Sequence, residues 1–98
     1  MNTDSSSPRH AGTRALITGG TQGLGLAVAL RLAREGAAGI VISGRRNAVG
    51  EVAAAEVRAL GASCHYVQAD VGNAEDCATL MAMALTKLGG VNALVHSA

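Results

Sequence analysis

The sequence has almost no aromatic residues: 98 residues include one Tyr, no Phe and no Trp. A hydrophobic core must therefore be built from Val, Ile, Leu, Ala and Met. Hydrophobic residues make up 49% of the chain and charged residues 15%, which is typical of a globular protein and not of a disordered one. A chain of this length forms at most one small domain and buries roughly 60–65% of its unfolded surface.

Charge is also scarce, and the formal net charge is +1. This value gives no indication of a nucleic-acid or membrane-surface partner. No uninterrupted apolar run approaches the roughly 18 residues that a membrane span needs. Residues 1–12 are polar and lack the apolar segment of a signal peptide, so we predict a flexible N-terminal tail and a cytoplasmic protein.

The two cysteines, Cys64 and Cys77, lie far apart, without a CxxC pair or a histidine at metal-ligand spacing. This pattern favours reduced thiols over a disulfide framework or a zinc site. We expect both to pack as small apolar residues and predict no metal site.

Short apolar runs alternate with amphipathic stretches along the rest of the chain. Four strands are predicted at residues 15–18, 40–43, 64–68 and 93–96. The intervening helices are predicted at Leu24 to Glu35, at Ala48 to Leu60, and between a capping Asn73 and Gly89. Their expected apolar stripes are Val49, Ala53, Val57 and Leu60 on the second helix, and Cys77, Met81, Ala84 and Leu88 on the third.

Alternation of this kind predicts an α/β fold with parallel strands joined by right-handed crossovers. At the first crossover, the strand runs into a glycine-rich turn, Thr18 to Gly25, that opens a helix. Gly19 permits a tight exit, while Gly23 and Gly25 let the helix N-terminus approach both the sheet and a pyrophosphate. No Lys-Ser/Thr pair follows, which excludes a nucleoside-triphosphate P-loop.

The spacing of this turn, TGxxxGxG, resembles the signature of the short-chain dehydrogenase/reductase family. Asp70-Val71 after the third strand is similar to the family's contact to the adenine amino group, and Val95 to Ala98 stands where the family has Asn-Asn-Ala-Gly. The resemblance covers residues 13–98. It implies an NAD(P)-binding, Rossmann-like half domain with strand order 3-2-1-4, truncated in or just after the fourth strand.

The resemblance also implies which residues bind the coenzyme. They are Gly19, Gly20, Thr21, Gln22, Gly23, Leu24, Gly25, Gly44, Arg45, Arg46, Asp70, Val71, Ser97 and Ala98. The sequence departs from the family where His96 and Ser97 replace two asparagines and where the closing glycine is missing. Asn92 stands where many relatives carry Asp, and we assign it no functional role.

The end of the second strand indicates which nicotinamide coenzyme is preferred. An acidic residue there usually binds the adenosine ribose 2′-OH, but this chain has Gly44 followed by Arg45 and Arg46. A guanidinium without a competing carboxylate suits a 2′-phosphate, and Thr21 and Gln22 offer further hydrogen bonds. We therefore predict NADP(H) over NAD(H); the alternative is that both arginines are merely solvated at a helix start.

The catalytic residues of the family are absent from these 98 residues. The family's base is the tyrosine of a Tyr-x-x-x-Lys motif, but the single tyrosine, Tyr66, is followed four residues later by Asp70. Tyr66 is interpreted as a strand residue that covers the core. His10, His65 and His96 are interpreted as tail, strand surface and strand end, and no serine has a recognisable base.

The leading hypothesis is the N-terminal, coenzyme-binding fragment of an NADP(H)-preferring oxidoreductase that transfers hydride between an alcohol and a ketone. The isolated chain is then expected to be inactive. A homo-oligomer is expected only as a possibility of the full-length form. The alternative is a non-catalytic module that binds dinucleotide or docks on a partner through the fourth strand. A methyltransferase is a third hypothesis, which the TGxxxGxG spacing and Arg45 disfavour.

Overall fold

The computed structural model describes residues 12–97. The predicted tail, apart from Gly12, and the predicted coenzyme contact Ala98 lie outside the described residues. Within them the chain alternates strand and helix, as expected from the hydrophobic pattern. The elements are β1 (Arg14–Thr18), α1 (Gly23–Arg34), β2 (Gly39–Gly44), α2 (Asn47–Arg58), β3 (Cys64–Gln68), α3 (Ala74–Leu88) and β4 (Ala93–His96).

All strand pairs are parallel, and the order across the sheet is β3-β2-β1-β4, which confirms the predicted topology. Thr18 at the end of β1 is paired with Ser43 on one side and with His96 on the other. The carboxyl ends of these strands therefore meet at one edge of the sheet. From β1 the chain adds β2 and then β3 on one side, and it crosses back to add β4 on the other side. In doubly wound folds, ligands bind where the direction of winding reverses in this way.

The two faces of the sheet are covered by different helices. On one face α1 and α2 pack small side chains such as Ala29, Ala33 and Ala54 against Ile17 and Ile42. On the other face α3 packs alone, and its contacts with the sheet are made by Leu80, Ala84 and Leu88 on Leu16, Val41 and Val67. Alanine is frequent at these interfaces because short side chains let a helix lie close to the strands.

The helix ends follow the local sequence. Asn73 caps α3 as predicted, with its Oδ1 accepting a hydrogen bond of 3.0 Å from the backbone N–H of Asp76. Gly89 ends α3 in the left-handed conformation, at φ 74°. α1 begins one residue earlier than expected, and α2 ends at Arg58, two residues before the predicted Leu60.

Two of the predicted core positions are wrong. Leu60 is 38% exposed because α2 has already ended there, and Gly50 and Ala54 contribute to the buried side of α2 instead. Cys77 is also exposed, because the stripe of α3 that contacts the sheet begins at Leu80. Cys64 is buried, as predicted.

The start of β1 is fastened to the start of β4 by Asn92. Its backbone N–H donates to the Arg14 carbonyl (2.9 Å), its Oδ1 accepts from the Arg14 N–H (2.7 Å), and its Nδ2 donates to the Gly12 carbonyl (2.8 Å). An aspartate here would lack the amide donor for Gly12. β4 itself is an edge strand, and Leu94 on it is 61% exposed.

Residues 12–97 include no helix that is both long and apolar enough to cross a membrane.

The different environments of the two thiols predict different reactivities. Burial raises the pKa of the Cys64 thiol to about 11, and the nearby Arg58 charge offsets only part of this effect. At pH 8 the native chain should therefore release one equivalent of thionitrobenzoate rapidly from Ellman's reagent, and two equivalents in urea. The Cys77→Ser variant should lose the fast equivalent; two equally fast thiols in the native chain would contradict the fold.

Candidate functional site

A cleft of about 760 Å³ lies at the carboxyl edge of the sheet. It is bordered by the turn after β1, the end of β2, the loop after β3 and the end of β4. Ten of the predicted site residues line it together: Gly19, Thr21, Gln22, Gly23, Leu24, Gly44, Arg45, Asp70, Val71 and Ser97. Gly20 and Gly25 are buried within the turn, and Arg46 lines an adjoining pocket.

The glycine turn is packed so closely that side chains are excluded at several positions. Gly19 adopts φ +74°, and a Cβ there would overlap the carbonyl oxygen of Ser97. A Cβ on Gly25 would overlap the Gly19 carbonyl oxygen. The N–H groups of Gly19 and Gly20 both donate to the Ser43 carbonyl, at 3.0 and 3.1 Å. The turn is thereby fixed against β2, with α1 immediately behind it.

The N-terminus of α1 is electrostatically suited to an anion. Its N-cap residue, Gln22, makes no side-chain hydrogen bond to the helix, and its first turn has no acidic residue. α3 differs, since Asn73 caps it and Glu75 and Asp76 lie in its first turn. The positive end of the α1 dipole thus has no acidic residue in its own first turn, whereas that of α3 has two.

A second pocket, of about 480 Å³, adjoins this cleft at the end of β2. Thr21, Gln22, Arg45, Arg46 and Val49 line it, so two arginines and no acidic residue of the described part of the chain border it. The backbone of the arginine segment is held by β3, because Gln68 Nε2 donates to the Arg45 carbonyl at 3.1 Å.

Tyr66 holds the end of β2 from the neighbouring strand. Its hydroxyl donates to the Gly44 carbonyl at 3.0 Å, and its ring packs against the core and lies over Gly50 of α2. Burial, together with the Glu51 charge, raises the pKa of the Tyr66 phenol. A phenol that is held protonated and engaged in a hydrogen bond suits a structural role. This confirms the interpretation of Tyr66 as a strand residue.

The loop after β3 is held by hydrogen bonds within itself and to side chains of α3. Asp70 Oδ1 accepts from the Gly72 N–H (2.9 Å), and the Asp70 N–H donates to Asp76 Oδ2 (2.8 Å). The Asn73 N–H donates to the Asp70 carbonyl (2.9 Å) and Cys77 Sγ to the Val71 carbonyl (3.2 Å). Asp70 and Val71 are therefore presented to the cleft on a loop anchored to the first turn of α3.

The end of β4 contacts β1 through His96, one of the two residues that stand in place of the family's asparagines. His96 Nδ1 lies 2.6 Å from Thr18 Oγ1, within hydrogen-bond distance. The Thr18 hydroxyl also lies 3.5 Å from the Val95 carbonyl, and the Ser97 N–H donates to the Thr18 carbonyl at 2.9 Å. The departure from Asn-Asn thus leaves β4 joined to β1.

The remaining candidate residues do not assemble into a second site. His65 lies on β3, where partial burial and the charges of Lys87 and Arg58 lower its pKa. The Ser43 side chain is fully buried, which suits packing and not attack on a substrate. In the part of the chain that the structure describes, no three His, Cys, Asp or Glu residues are grouped as metal ligands. His10 lies outside the described residues.

Comparison with known proteins agrees with this geometry. Residues 13–98 match the family described as short chain dehydrogenase. The chain belongs to the short-chain dehydrogenase family. Relatives in the family include the human protein named dehydrogenase/reductase SDR family member 2, mitochondrial, which is 45% identical over 84 residues. That match covers 86% of this chain and 30% of the relative.

Other short-chain dehydrogenases give the same result. Human 3-hydroxyacyl-CoA dehydrogenase type-2 is 40% identical over 87 residues, covering 89% of this chain and 32% of that protein. A dehydrogenase/reductase from Sinorhizobium meliloti superposes with a TM-score of 0.86 at 34% identity, over 94% of this chain and 36% of that chain. A xylitol dehydrogenase structure with bound NAD+ has a TM-score of 0.84 at 30% identity, over 88% and 33% of the two chains.

The chain therefore spans about a third of the length of the short-chain dehydrogenases it matches. Both coenzymes occur among its structural neighbours, since a Burkholderia cenocepacia structure with bound NADP has a TM-score of 0.84 at 30% identity, over 94% of this chain and 36% of that one. The fold is thus common to these structural neighbours, and the two that hold a nicotinamide dinucleotide differ in which one they hold.

The sequence did not predict three contacts that shape the site, those of His96, Tyr66 and Asp76, nor the Asn92 contact at the opposite end of β1. Only the His96 contact had a signal in the sequence, namely the replacement of an expected asparagine. The hydrogen bond from the Asp70 N–H to Asp76 depends on how the loop folds back onto α3, which the local sequence does not indicate.

The Asp76 contact predicts a difference between two neighbouring acidic residues. Asp76→Ala removes both a favourable charge at the α3 N-terminus and the acceptor for the Asp70 N–H, whereas Glu75→Ala removes a charge from the same helix turn. Asp76→Ala should therefore lower the free energy of unfolding by about 1 kcal/mol more than Glu75→Ala in urea denaturation. Equal losses would show that the loop does not depend on this hydrogen bond.

Proposed function

We propose that this chain is the coenzyme-binding part of an NADP(H)-preferring oxidoreductase that acts on an alcohol or a ketone. The observation that carries the preference is the pocket between Thr21, Gln22, Arg45 and Arg46, whose lining among the described residues includes two arginines and no acidic residue. A ribose 2′-phosphate carries a negative charge, and arginine binds phosphate oxygens through planar, permanently charged donors.

The residues of the larger cleft suit the rest of the dinucleotide. The uncapped N-terminus of α1, with Gly23 open to solvent and Gly25 without a Cβ, leaves room for a pyrophosphate beside the backbone N–H groups. Asp70 and Val71 line the same cleft, which supports assigning them the contact to the adenine, and Ser97 lines it just after β4. We assign the remaining predicted contacts, including Ala98, on the family resemblance alone.

A bound nicotinamide dinucleotide supplies hydride transfer, and the residues in this chain bind and orient it. The catalytic serine and Tyr-x-x-x-Lys of the family have no counterpart among the 98 residues, where Tyr66 is followed at the fourth position by Asp70. We therefore assign the acid–base step to residues that are not among these 98, and we expect this chain alone to be inactive. The cytoplasmic location and the oligomerisation of a full-length form stay predictions.

A non-catalytic module is the second candidate. The open edge of β4 favours it, because Leu94 there is 61% exposed, and a hydrophobic edge strand readily adds a further strand. In that case the chain binds dinucleotide or docks on a partner without turning over a substrate. Oxidation of NADPH by a ketone in the presence of this chain alone would argue against the module.

The coenzyme preference is tested by reversing one charge. Arg45→Asp replaces the guanidinium beside Gly44 with a carboxylate, which repels a 2′-phosphate and accepts a hydrogen bond from a 2′-OH. We expect the ratio of NADPH to NADH affinity, measured by fluorescence titration, to fall by about tenfold to a hundredfold. An unchanged ratio would refute the assignment of NADP(H).

Arg34→Asp is the matched control for this experiment. It makes the same change of charge at the opposite end of α1, in the last helical turn, away from both pockets. We expect both affinities to fall slightly and equally through the altered net charge, so that their ratio is preserved. A similar loss of ratio in this variant would mean that Arg45 acts only through the overall charge of the chain.

A further inference from the structure

The end of β2 lies directly against the side chain of Thr21. A Cβ built on Gly44 would lie 2.8 Å from Thr21 Cγ2 and 2.9 Å from Thr21 Oγ1, closer than real Cβ atoms approach their neighbours. Gly44 is also the position at which dinucleotide-binding folds carry the acidic residue that binds a ribose 2′-OH. Thr21 therefore occupies the space that a side chain at residue 44 would need.

Rotation of Thr21 does not remove this obstacle. The two heavy branches of threonine occupy two of the three staggered positions around the Cα–Cβ bond, and here both lie next to Gly44. After any rotation to another staggered position, at least one of these two places is still filled. Serine has a single heavy branch, which is able to turn into the third position and leave both places empty.

The backbone of β2 is also held in place. The Gly44 carbonyl accepts hydrogen bonds from the Tyr66 hydroxyl (3.0 Å) and from the Ala69 N–H (2.9 Å). On the other side, the N–H groups of Gly19 and Gly20 donate to the Ser43 carbonyl. Widening the gap between the turn and the strand end would stretch these bonds, so the space for a side chain at residue 44 does not open by a small backbone shift.

We propose that Thr21 is a specificity-determining residue: its branched side chain excludes a carboxylate from position 44 and thereby maintains the preference for a 2′-phosphate. The proposal rests on the proposed function, in which the adenosine ribose lies between the glycine turn and Arg45. It predicts that coenzyme preference depends on the pair Thr21–Gly44 and not on Gly44 alone.

The packing is tested first, without any ligand, by thermal unfolding of the chain. Gly44→Ala should lower Tm by about 5 °C or more, both in the native background and together with Thr21→Val, because valine keeps both branches. In the Thr21→Ser background, Gly44→Ala should lower Tm only slightly. If Gly44→Ala does not yield folded protein, recovery by Thr21→Ser but not by Thr21→Val supports the proposal equally.

The specificity is then tested with two probes of the adenosine end, adenosine 2′,5′-bisphosphate and 5′-AMP, by calorimetric titration. Gly44→Asp alone should weaken the binding of both probes. Adding Thr21→Ser to Gly44→Asp should raise the affinity for 5′-AMP by about tenfold, while the affinity for adenosine 2′,5′-bisphosphate stays low. Adding Thr21→Val instead should raise neither affinity. The serine and valine variants are matched, since each retains one of the two properties of threonine, the hydroxyl or the branch.

The outcomes separate this proposal from the proposed function. If Gly44→Ala is equally stable in the threonine and serine backgrounds, or if Gly44→Asp alone binds 5′-AMP as well as the pair does, Thr21 does not exclude a side chain and the proposal is overturned. If the native chain binds both probes equally but the stability pattern holds, the NADP(H) preference fails while the exclusion by Thr21 stands.

Discussion

The close approach of the glycine turn to its neighbours is the constraint on which the site depends. The backbone between β1 and α1 passes so near to β4 and to α1 that Cβ atoms at Gly19 and Gly25 would overlap carbonyl oxygens. Two N–H groups of the turn share the Ser43 carbonyl of β2. One short segment therefore fixes the relative positions of three elements, and the cleft at the sheet edge is the space that remains between them.

The scarcity of aromatic residues and the frequency of alanine follow from the same need for close packing. α1 and α2 contact the sheet largely through alanine and glycine, so the helices lie near the strands and their N-termini reach the sheet edge. The single aromatic residue, Tyr66, is accommodated because Gly50 leaves room for its ring. Its hydroxyl then serves the site by fixing the Gly44 carbonyl.

The element order and the position of the glycine turn were predicted from the sequence, because they depend on local periodicity and on motifs a few residues long. The strand order was predicted only through the family resemblance, since periodicity does not show which strands are neighbours. Errors arose where a helix ended early, at Leu60, or where its buried stripe began late, at Cys77. Contacts such as Thr21 with Gly44 were not predictable, since they join residues far apart in the chain. The coenzyme-binding roles themselves stay predictions, for the sequence identifies candidate residues and the structure only brings them together.

The position of β4 has a consequence for how the sheet assembles. Each of the β1–β2 and β2–β3 pairings closes a single crossover, whereas the Asn92 contact with Arg14 joins residues 78 positions apart. Closing the longer loop costs more chain entropy, so we expect β4 to dock last and to detach first during local opening. Ser97 lies directly beside Gly19, and both residues line the cleft. A ligand in the cleft therefore binds preferentially to the form in which β4 is docked on β1, and it stabilises the complete sheet by mass action.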